Sequence, residues 1–175
     1  MVNINNDVID RLYSDFENLH RFLIDKKEID YANFLEDSFR KNLLIASASF
    51  IEDAIQQILI DFFKSSTKDE IIVNFLEKKA ISRQYHTYFD WNSSNVNSFL
   101  RLFGKEFKNK FDSQKNEKIE NYIKSFIELG RLRNELVHKN FINYTLEKTT
   151  KEIKELFDNS YQFTIFFQES LNNST

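Results

Sequence analysis

The sequence predicts an all-α protein, a bundle of four to five main helices. The 175-residue chain has no proline and two glycines, so it has few residues that interrupt helices or form tight turns. Its nineteen phenylalanines recur at helical spacings instead of alternating one by one. Hydrophobic residues make up 41% and charged residues 29% of the chain, as in folded globular proteins. We take residues 1–175 as a single domain.

The first two helices are predicted from their apolar patterns. Residues 7–26 carry one apolar stripe, which leaves the opposite face charged. Residues 31–64 are apolar around most of the helix circumference, which is typical of a central core helix. Seven polar residues interrupt its most apolar stretch, residues 43–63, so we do not expect this stretch to cross a membrane.

The middle of the chain is predicted to contain a third helix and the longest loop. Thr67 and Glu70 have the spacing of a capping box, which predicts a helix from there to about residue 81. The helical period is lost over residues 82–95. This loop contains five aromatic or imidazole side chains: Tyr85, His86, Tyr88, Phe89 and Trp91.

Beyond the loop, three more elements are predicted. Ser94 is placed to cap a short helix that ends at Gly104, where left-handed backbone is favourable. Residues 105–112 are expected to form a connector. The helical period returns over residues 113–138 and predicts a long helix. Thr149 begins a second capping box, which opens the final helix.

The composition excludes several classes of site. A formal net charge of −3 and a pI of about 5.7 mean that a site for a polyanion has to be local. The absence of cysteine removes disulfides, thiolate catalysis and cysteine-ligated zinc. Three scattered histidines do not form a ligand set, so we expect neither a metal nor another cofactor. The polar N-terminus does not resemble a secretory signal, which favours a cytoplasmic location.

The residues best suited to chemistry lie at the end of the predicted helix 113–138. Arg131, Asn134 and His138 project within about 60° of one another, because steps of three, four and seven residues return to one helix face. Arg133 lies roughly 100° around from Asn134 and borders that face. A guanidinium fork matches phosphate oxygens, and an imidazole exchanges protons near neutral pH. The group therefore suits phosphodiester chemistry.

RNA is the substrate that such a group fits best. Its 2′-hydroxyl can attack the neighbouring phosphate, so cleavage requires proton transfer and stabilisation of a charged phosphorane, without a metal. The products would carry a cyclic phosphate and a 5′-hydroxyl.

Two stretches of the chain resemble the HEPN superfamily. Residues 133–140, RNELVHKN, resemble its signature of arginine, a polar residue, three variable positions and histidine. Residues 46–52, ASASFIE, are similar to the small-residue stretch followed by glutamate that HEPN proteins of the RiboL-PSP kind often have. The resemblance covers most of the chain. It implies a helical bundle that forms a two-fold homodimer and brings two motifs into one cleft.

The resemblance also implies an activity and roles for residues. The activity is that of a metal-independent endoribonuclease in phage defence or a toxin–antitoxin setting. Arg133 and His138 would be catalytic, Asn134 would orient or bind the phosphate, and Glu52 would be a supporting polar residue of the same cleft. The implied partners are RNA, a second copy of the chain, and a cognate antitoxin or defence-system protein.

The sequence leaves alternatives for the arginines and for the function. Arg131 also fits the looser spacing to His138, but the polar residue after Arg133 favours Arg133 as the catalytic arginine. Arg131 and Lys139 are then predicted to contact the RNA backbone. The alternative function is a non-catalytic HEPN-like module that binds RNA, a nucleotide or a protein. A third possible function is that of an interaction partner that another polypeptide activates or silences.

Each candidate residue also has an ordinary structural interpretation. His138 can cap a helix C-terminus against the helix dipole, and the two arginines can form surface ion pairs with neighbouring glutamates. Glu52 can simply be a polar residue on the solvent-exposed face of its helix. His20 and His86 are expected to have structural roles only. The aromatic side chains of residues 82–95 can stack on unpaired bases or anchor the loop to the core.

Overall fold

The fold is all helical, as predicted. The computed structural model describes residues 6–82, 84–139, 141 and 143–174, and these contain no strand. Four helices are long, in agreement with the expected bundle. In chain order the helices are α1 (Asp7–Asp25), α2 (Ile29–Ser66), α3 (Glu70–Leu76), which continues into a π-helical turn (Glu77–Ile81), α4 (Tyr85–Tyr88), α5 (Asn97–Arg101), α6 (Lys105–Ser113), α7 (Glu117–His138) and α8 (Thr150–Asn172).

Helix α2 is the central helix, because α1, α7 and α8 all pack against it. Leu43, Ile51 and Ile55 on α2 are almost completely buried. By length and composition α2 could cross a membrane, since an 18-residue window has a mean hydropathy of 1.5. However, 50% of that window is buried within the fold, which is what the core helix of a soluble protein shows.

The start of α8 is fixed to α1 and α2 by polar contacts. The predicted capping box at Thr149 is confirmed, since its side chain and that of Glu152 each accept the other residue's backbone N–H. The backbone N–H and the hydroxyl of Thr150 donate to Glu36 of α2 at 3.0 and 2.7 Å. Lys154 forms an ion pair with Asp10 of α1 at 2.8 Å. These contacts hold the last helix across the first two.

Two segments predicted to be non-helical form helices. Residues 105–112 belong to α6, so the expected connector is wrong. Phe107 and Phe111 lie one turn apart on α6 and are both buried, which stabilises the helix although lysines dominate its sequence. A single turn, α4, also forms within the predicted loop of residues 82–95.

The start of α3 differs from its prediction. The capping box of Thr67 and Glu70 does not form. Asp69 caps the helix instead, since its carboxylate accepts the backbone N–H groups of Ile71 and Ile72 at 2.9 and 3.3 Å. The Thr67 hydroxyl accepts the N–H of Asp69 at 3.2 Å. A carboxylate one residue before Glu70 therefore replaces the predicted threonine as the cap.

Helices α5 and α7 also begin later than the sequence predicts. The N-cap of α5 is Val96, which makes no side-chain hydrogen bond, so the cap predicted at Ser94 is wrong. Gly104 has a φ of +91°, which confirms the left-handed backbone expected there. Asn116 caps α7 by accepting the N–H of Ile119 at 3.0 Å.

The loop before α5 is anchored to the core by its aromatic side chains. Tyr85 and Phe89 are buried. The centroid of the Phe89 ring lies 4.5 Å from that of Phe99 and 4.8 Å from that of Phe126 on α7. For these two side chains, packing is the interpretation that the structure supports.

Trp91 packs on α7 at Gly130, where the helix has no side chain. A Cβ at position 130 would lie 1.9 Å from the Cζ3 atom of Trp91, so the close approach requires glycine. The indole N–H of Trp91 donates to the backbone oxygen of His86 at 3.1 Å. The loop is thereby fixed to α7 one turn before the motif.

We expect Gly130→Ala to lower the melting temperature, although alanine is the better helix former by about 1 kcal/mol. The added methyl group would overlap the indole, and overpacking typically costs about 1–3 kcal/mol. In a Trp91→Ala background, where the ring is absent, the same substitution should raise the melting temperature. Thermal unfolding followed by circular dichroism measures both effects. A more stable Gly130→Ala single variant would contradict the packing described.

Candidate active site

The motif occupies the last turns of α7. Leu136 is fully buried in the core, and this fixes the rotation of the helix about its axis. Arg133 and Asn134 are half-buried, whereas His138 is exposed as the last residue of α7. Asn140, the last residue of the string that resembles the HEPN signature, lies outside the described residues.

Arg133 and Asn134 line a narrow cavity between α7, α2 and the loop before α5. The cavity measures about 10 Å³, close to the smallest volume that holds one water molecule. A guanidinium N–H of Arg133 donates to the Asn134 side-chain oxygen at 3.3 Å. The other polar or aromatic side chains that line the cavity are Glu52, Tyr85, His86, Trp91 and Phe126. The structure therefore brings Glu52 of α2 beside Arg133 and Asn134.

The Glu52 carboxylate is held by two neighbours other than Arg133. The side-chain amide of Gln56 donates to its Oε1 atom at 3.3 Å. The Nε2 atom of His86 lies 3.5 Å from its Oε2 atom. No ion pair joins Glu52 to Arg133 within the part of the chain that the structure describes. The guanidinium thus keeps N–H donors for an anion.

The surroundings of His86 favour the neutral form of its imidazole. Burial lowers the pKa of His86, and the positive charges of Arg133 and His138 lower it further, while the negative charge of Glu52 raises it. Its Nδ1 atom is buried and has no hydrogen-bond partner among the described residues. Because a buried N–H without a partner is costly, we place the proton on Nε2, which faces Glu52.

The structure brings to the site one residue that the sequence does not connect with the motif. His86 is expected from sequence to have a structural role only, yet it lies against Glu52 and near Arg133. It belongs to a loop without periodicity, so no pattern connects it with the motif. The cluster of aromatic side chains in an otherwise polar loop is the signal that could have drawn attention to it. The ring of His20, on α1, packs on Phe16.

Arg131 and Lys139 do not line this cavity, and they share one carboxylate. Arg131 pairs with Glu135, and Lys139 pairs with Glu135 at 3.0 Å. The Tyr144 hydroxyl also donates to Glu135 at 3.0 Å. Lys139 makes the largest contribution to lowering the pKa of Glu135, ahead of Tyr144 and Arg131. Because α7 is helical over all three positions, Arg131, Asn134 and His138 keep the expected spacing around the helix, but the Arg131 side chain pairs with Glu135.

A second, larger cavity lies away from the motif. It measures about 760 Å³ and is lined mainly by apolar and aromatic side chains from the end of α2, the π-helical turn, α5 and α6. None of the motif residues lines it. Across residues 6–82, 84–139, 141 and 143–174, no three His, Asp or Glu side chains cluster closely enough to hold a metal ion.

The fold and the motif define an all-helical protein with a basic and imidazole-containing site at the end of a long helix. The family model named RiboL-PSP-HEPN matches residues 10–173. The chain therefore belongs to the RiboL-PSP-HEPN family. No curated protein matches the chain, and no solved structure does.

The proximity of His86 to its charged neighbours can be tested by NMR titration of its imidazole. Glu52→Gln should lower the pKa of His86 further, because it removes the carboxylate that raises it. Arg133→Ala should raise it, because it removes a nearby positive charge. Since the unfolded imidazole binds a proton at higher pH than the folded one, His86 should also make the free energy of unfolding fall as the pH drops below about 6.5. A pKa that neither substitution changes would contradict the geometry.

Proposed function

We propose that this protein is a metal-independent endoribonuclease that acts in the cytoplasm, in phage defence or a toxin–antitoxin setting. Membership of the HEPN family supports this, since HEPN domains are often ribonucleases. The observation that carries the proposal is the difference between the two arginines. Arg133 lies beside Asn134 with no carboxylate paired to it among the described residues, whereas Arg131 is neutralised by Glu135.

In the proposed reaction, a ribose 2′-hydroxyl attacks the adjacent phosphorus and the bond to the 5′-oxygen breaks. His138 takes the proton of the 2′-hydroxyl as that oxygen attacks and gives it to the 5′-oxygen as that oxygen leaves, so the imidazole ends the reaction in the form in which it began. The guanidinium of Arg133 binds the non-bridging oxygens as negative charge develops on the phosphorane, and Asn134 orients the phosphate. The products are a 2′,3′-cyclic phosphate and a 5′-hydroxyl. Glu52 supports the site, while Arg131 and Lys139 contact the RNA backbone from its edge.

A homodimer completes this proposal. His138 is exposed and does not line the cavity that contains Arg133. A second copy placed two-fold against the end of α7 would bring two motifs into one cleft. Val137 and Phe141 flank His138 and are 52% and 45% exposed, which offers apolar surface for such a contact. A cognate antitoxin or another defence protein is a further proposed partner.

The alternative is a non-catalytic HEPN module that binds RNA, a nucleotide or a protein. One observation favours it: the cavity beside Arg133 has room for about one water molecule, and His138 lies outside its lining. A module of this kind would bind through Arg133 and Asn134 without transferring protons.

The first test compares wild type with His138→Ala on cellular RNA in the presence of EDTA. We expect the wild type to cut and to leave cyclic phosphate ends, and the variant to be slower by about 10²- to 10⁴-fold, since it lacks the proton-transfer group. Fragment ends are read by sequencing, and light scattering checks that both proteins are dimers. Loss of wild-type activity in EDTA would refute the metal-independent mechanism, and equal cleavage by both proteins would refute the role of His138.

The second test uses the two arginines as a matched pair. Arg133→Ala should lower kcat by about 10²- to 10³-fold, as does the loss of one donor to a developing oxyanion. Arg131→Ala should change it by less than about fivefold, because its side chain is half exposed and already paired. Single-turnover cleavage of one defined RNA gives both values. A larger loss of kcat in Arg131→Ala than in Arg133→Ala would indicate that Arg131 binds the phosphate instead.

A further inference from the structure

His86 and Glu52 form a pair at the edge of the proposed phosphate site. The Nε2 atom of His86 lies 3.5 Å from the Glu52 carboxylate, within ion-pair distance but longer than an ordinary hydrogen bond. Gln56 donates to the other carboxylate oxygen at 3.3 Å. Glu52 is therefore held from two directions, and its side chain is only 23% exposed.

Arg133 is the strongest competing partner for that carboxylate. Glu52 and Arg133 line the same narrow cavity, and both charges act on Tyr85 and His86. An arginine fork binds a carboxylate as well as it binds a phosphate, so an unrestrained Glu52 would occupy the guanidinium. No such ion pair occurs among the described residues. Something has to keep the carboxylate turned away, and the contacts identify Gln56 and His86.

The backbone of His86 is fixed by contacts on α7. Its carbonyl oxygen accepts the Trp91 indole N–H at 3.1 Å, and Trp91 rests on Gly130 one turn before Arg133. The buried ring of Tyr85 packs against the His86 ring with centroids 5.3 Å apart. The imidazole is thus carried by a segment whose position is set by the same helix that carries the motif.

We infer that His86 is a positioning residue that holds the Glu52 carboxylate away from Arg133 and so leaves the guanidinium open to an RNA phosphodiester. The inference rests on the proposed function in naming RNA phosphate as the ligand. Proton transfer remains with His138, and His86 acts only through Glu52. A neutral imidazole with its proton on Nε2 is sufficient, because that N–H faces the carboxylate oxygen across 3.5 Å.

The test is a double-mutant cycle on the full chain. The readout is the affinity for a 2′-O-methyl oligoribonucleotide, which cannot be cut because its nucleophile is blocked. His86→Ala should weaken binding by about tenfold or more, comparable to the loss of one charged hydrogen bond. In a Glu52→Gln background the same substitution should cost little, because no carboxylate remains to compete for Arg133. His86→Gln, whose amide can still donate to Glu52, should stay close to wild type.

Controls separate positioning from unfolding and from catalysis. His20→Ala, on α1 and away from the site, is the matched histidine control and should bind as wild type. Circular dichroism melting checks each variant, and cleavage of the unmodified RNA is measured in parallel, where His86→Ala should raise KM more than it lowers kcat.

Three outcomes would overturn the inference: unchanged affinity in His86→Ala, an equal loss in the Glu52→Gln background, or a His86→Gln variant as defective as His86→Ala. If no protein cuts RNA but the binding cycle behaves as expected, the ribonuclease proposal fails and the positioning role stands. If the wild type cuts RNA and His86→Ala binds and cuts normally, the ribonuclease proposal stands and the positioning role fails. A wild type that does not bind the oligoribonucleotide overturns both.

Discussion

Helix α2 is apolar around most of its circumference, so it can avoid water only if other helices cover it on several sides. Helices α1, α7 and α8 provide that cover. The requirement also sets the orientation of α7, since Leu129 and Leu136 have to be buried for α7 to pack. With those positions inside, Arg133 and Asn134 necessarily face the space beside α2. A rotation of one residue would force a charged or polar group of the motif into the core, which is costly without a partner.

The loop before α5 covers the space between α2 and α7 and contributes Tyr85, His86 and Trp91 to its lining. Its aromatic side chains are buried against α7, and their burial provides the stability that a loop without regular hydrogen bonding otherwise lacks. The absence of a side chain at Gly130 lets Trp91 approach closely. As a consequence, a histidine distant in sequence from the motif lies against a glutamate of α2. Apolar packing thus positions a polar pair.

The two arginines show how position on a helix separates residues of identical chemistry. Arg131 and Arg133 are two residues apart, which places them roughly 160° around the helix from each other. Arg131 meets Glu135 on its own helix and forms a group with Lys139 and Tyr144. Arg133 lines the same cavity as Glu52, whose carboxylate is contacted by Gln56 and His86. The Arg133 guanidinium pairs with no carboxylate among the described residues and donates to Asn134, while the His138 imidazole is exposed. The proposed function depends on these two groups.

By itself, the sequence determined the helical class, the central position of α2, the capping box at Thr149 and the motif. These follow from the local spacing of residues and from the scarcity of helix-breaking residues. Both are properties of a segment's own sequence and do not depend on contacts with the rest of the chain. It did not reveal α6, because Phe107 and Phe111 are two apolar residues in a segment that is otherwise polar and charged. They form the apolar face of a helix only when both are buried in the core. Nor could it show that Arg131 pairs with Glu135 whereas Arg133 lies beside Asn134, or that His86 lies against Glu52. Those were decided by the tertiary structure, because partners from α2, α7 and the loop meet only after the chain has folded around α2.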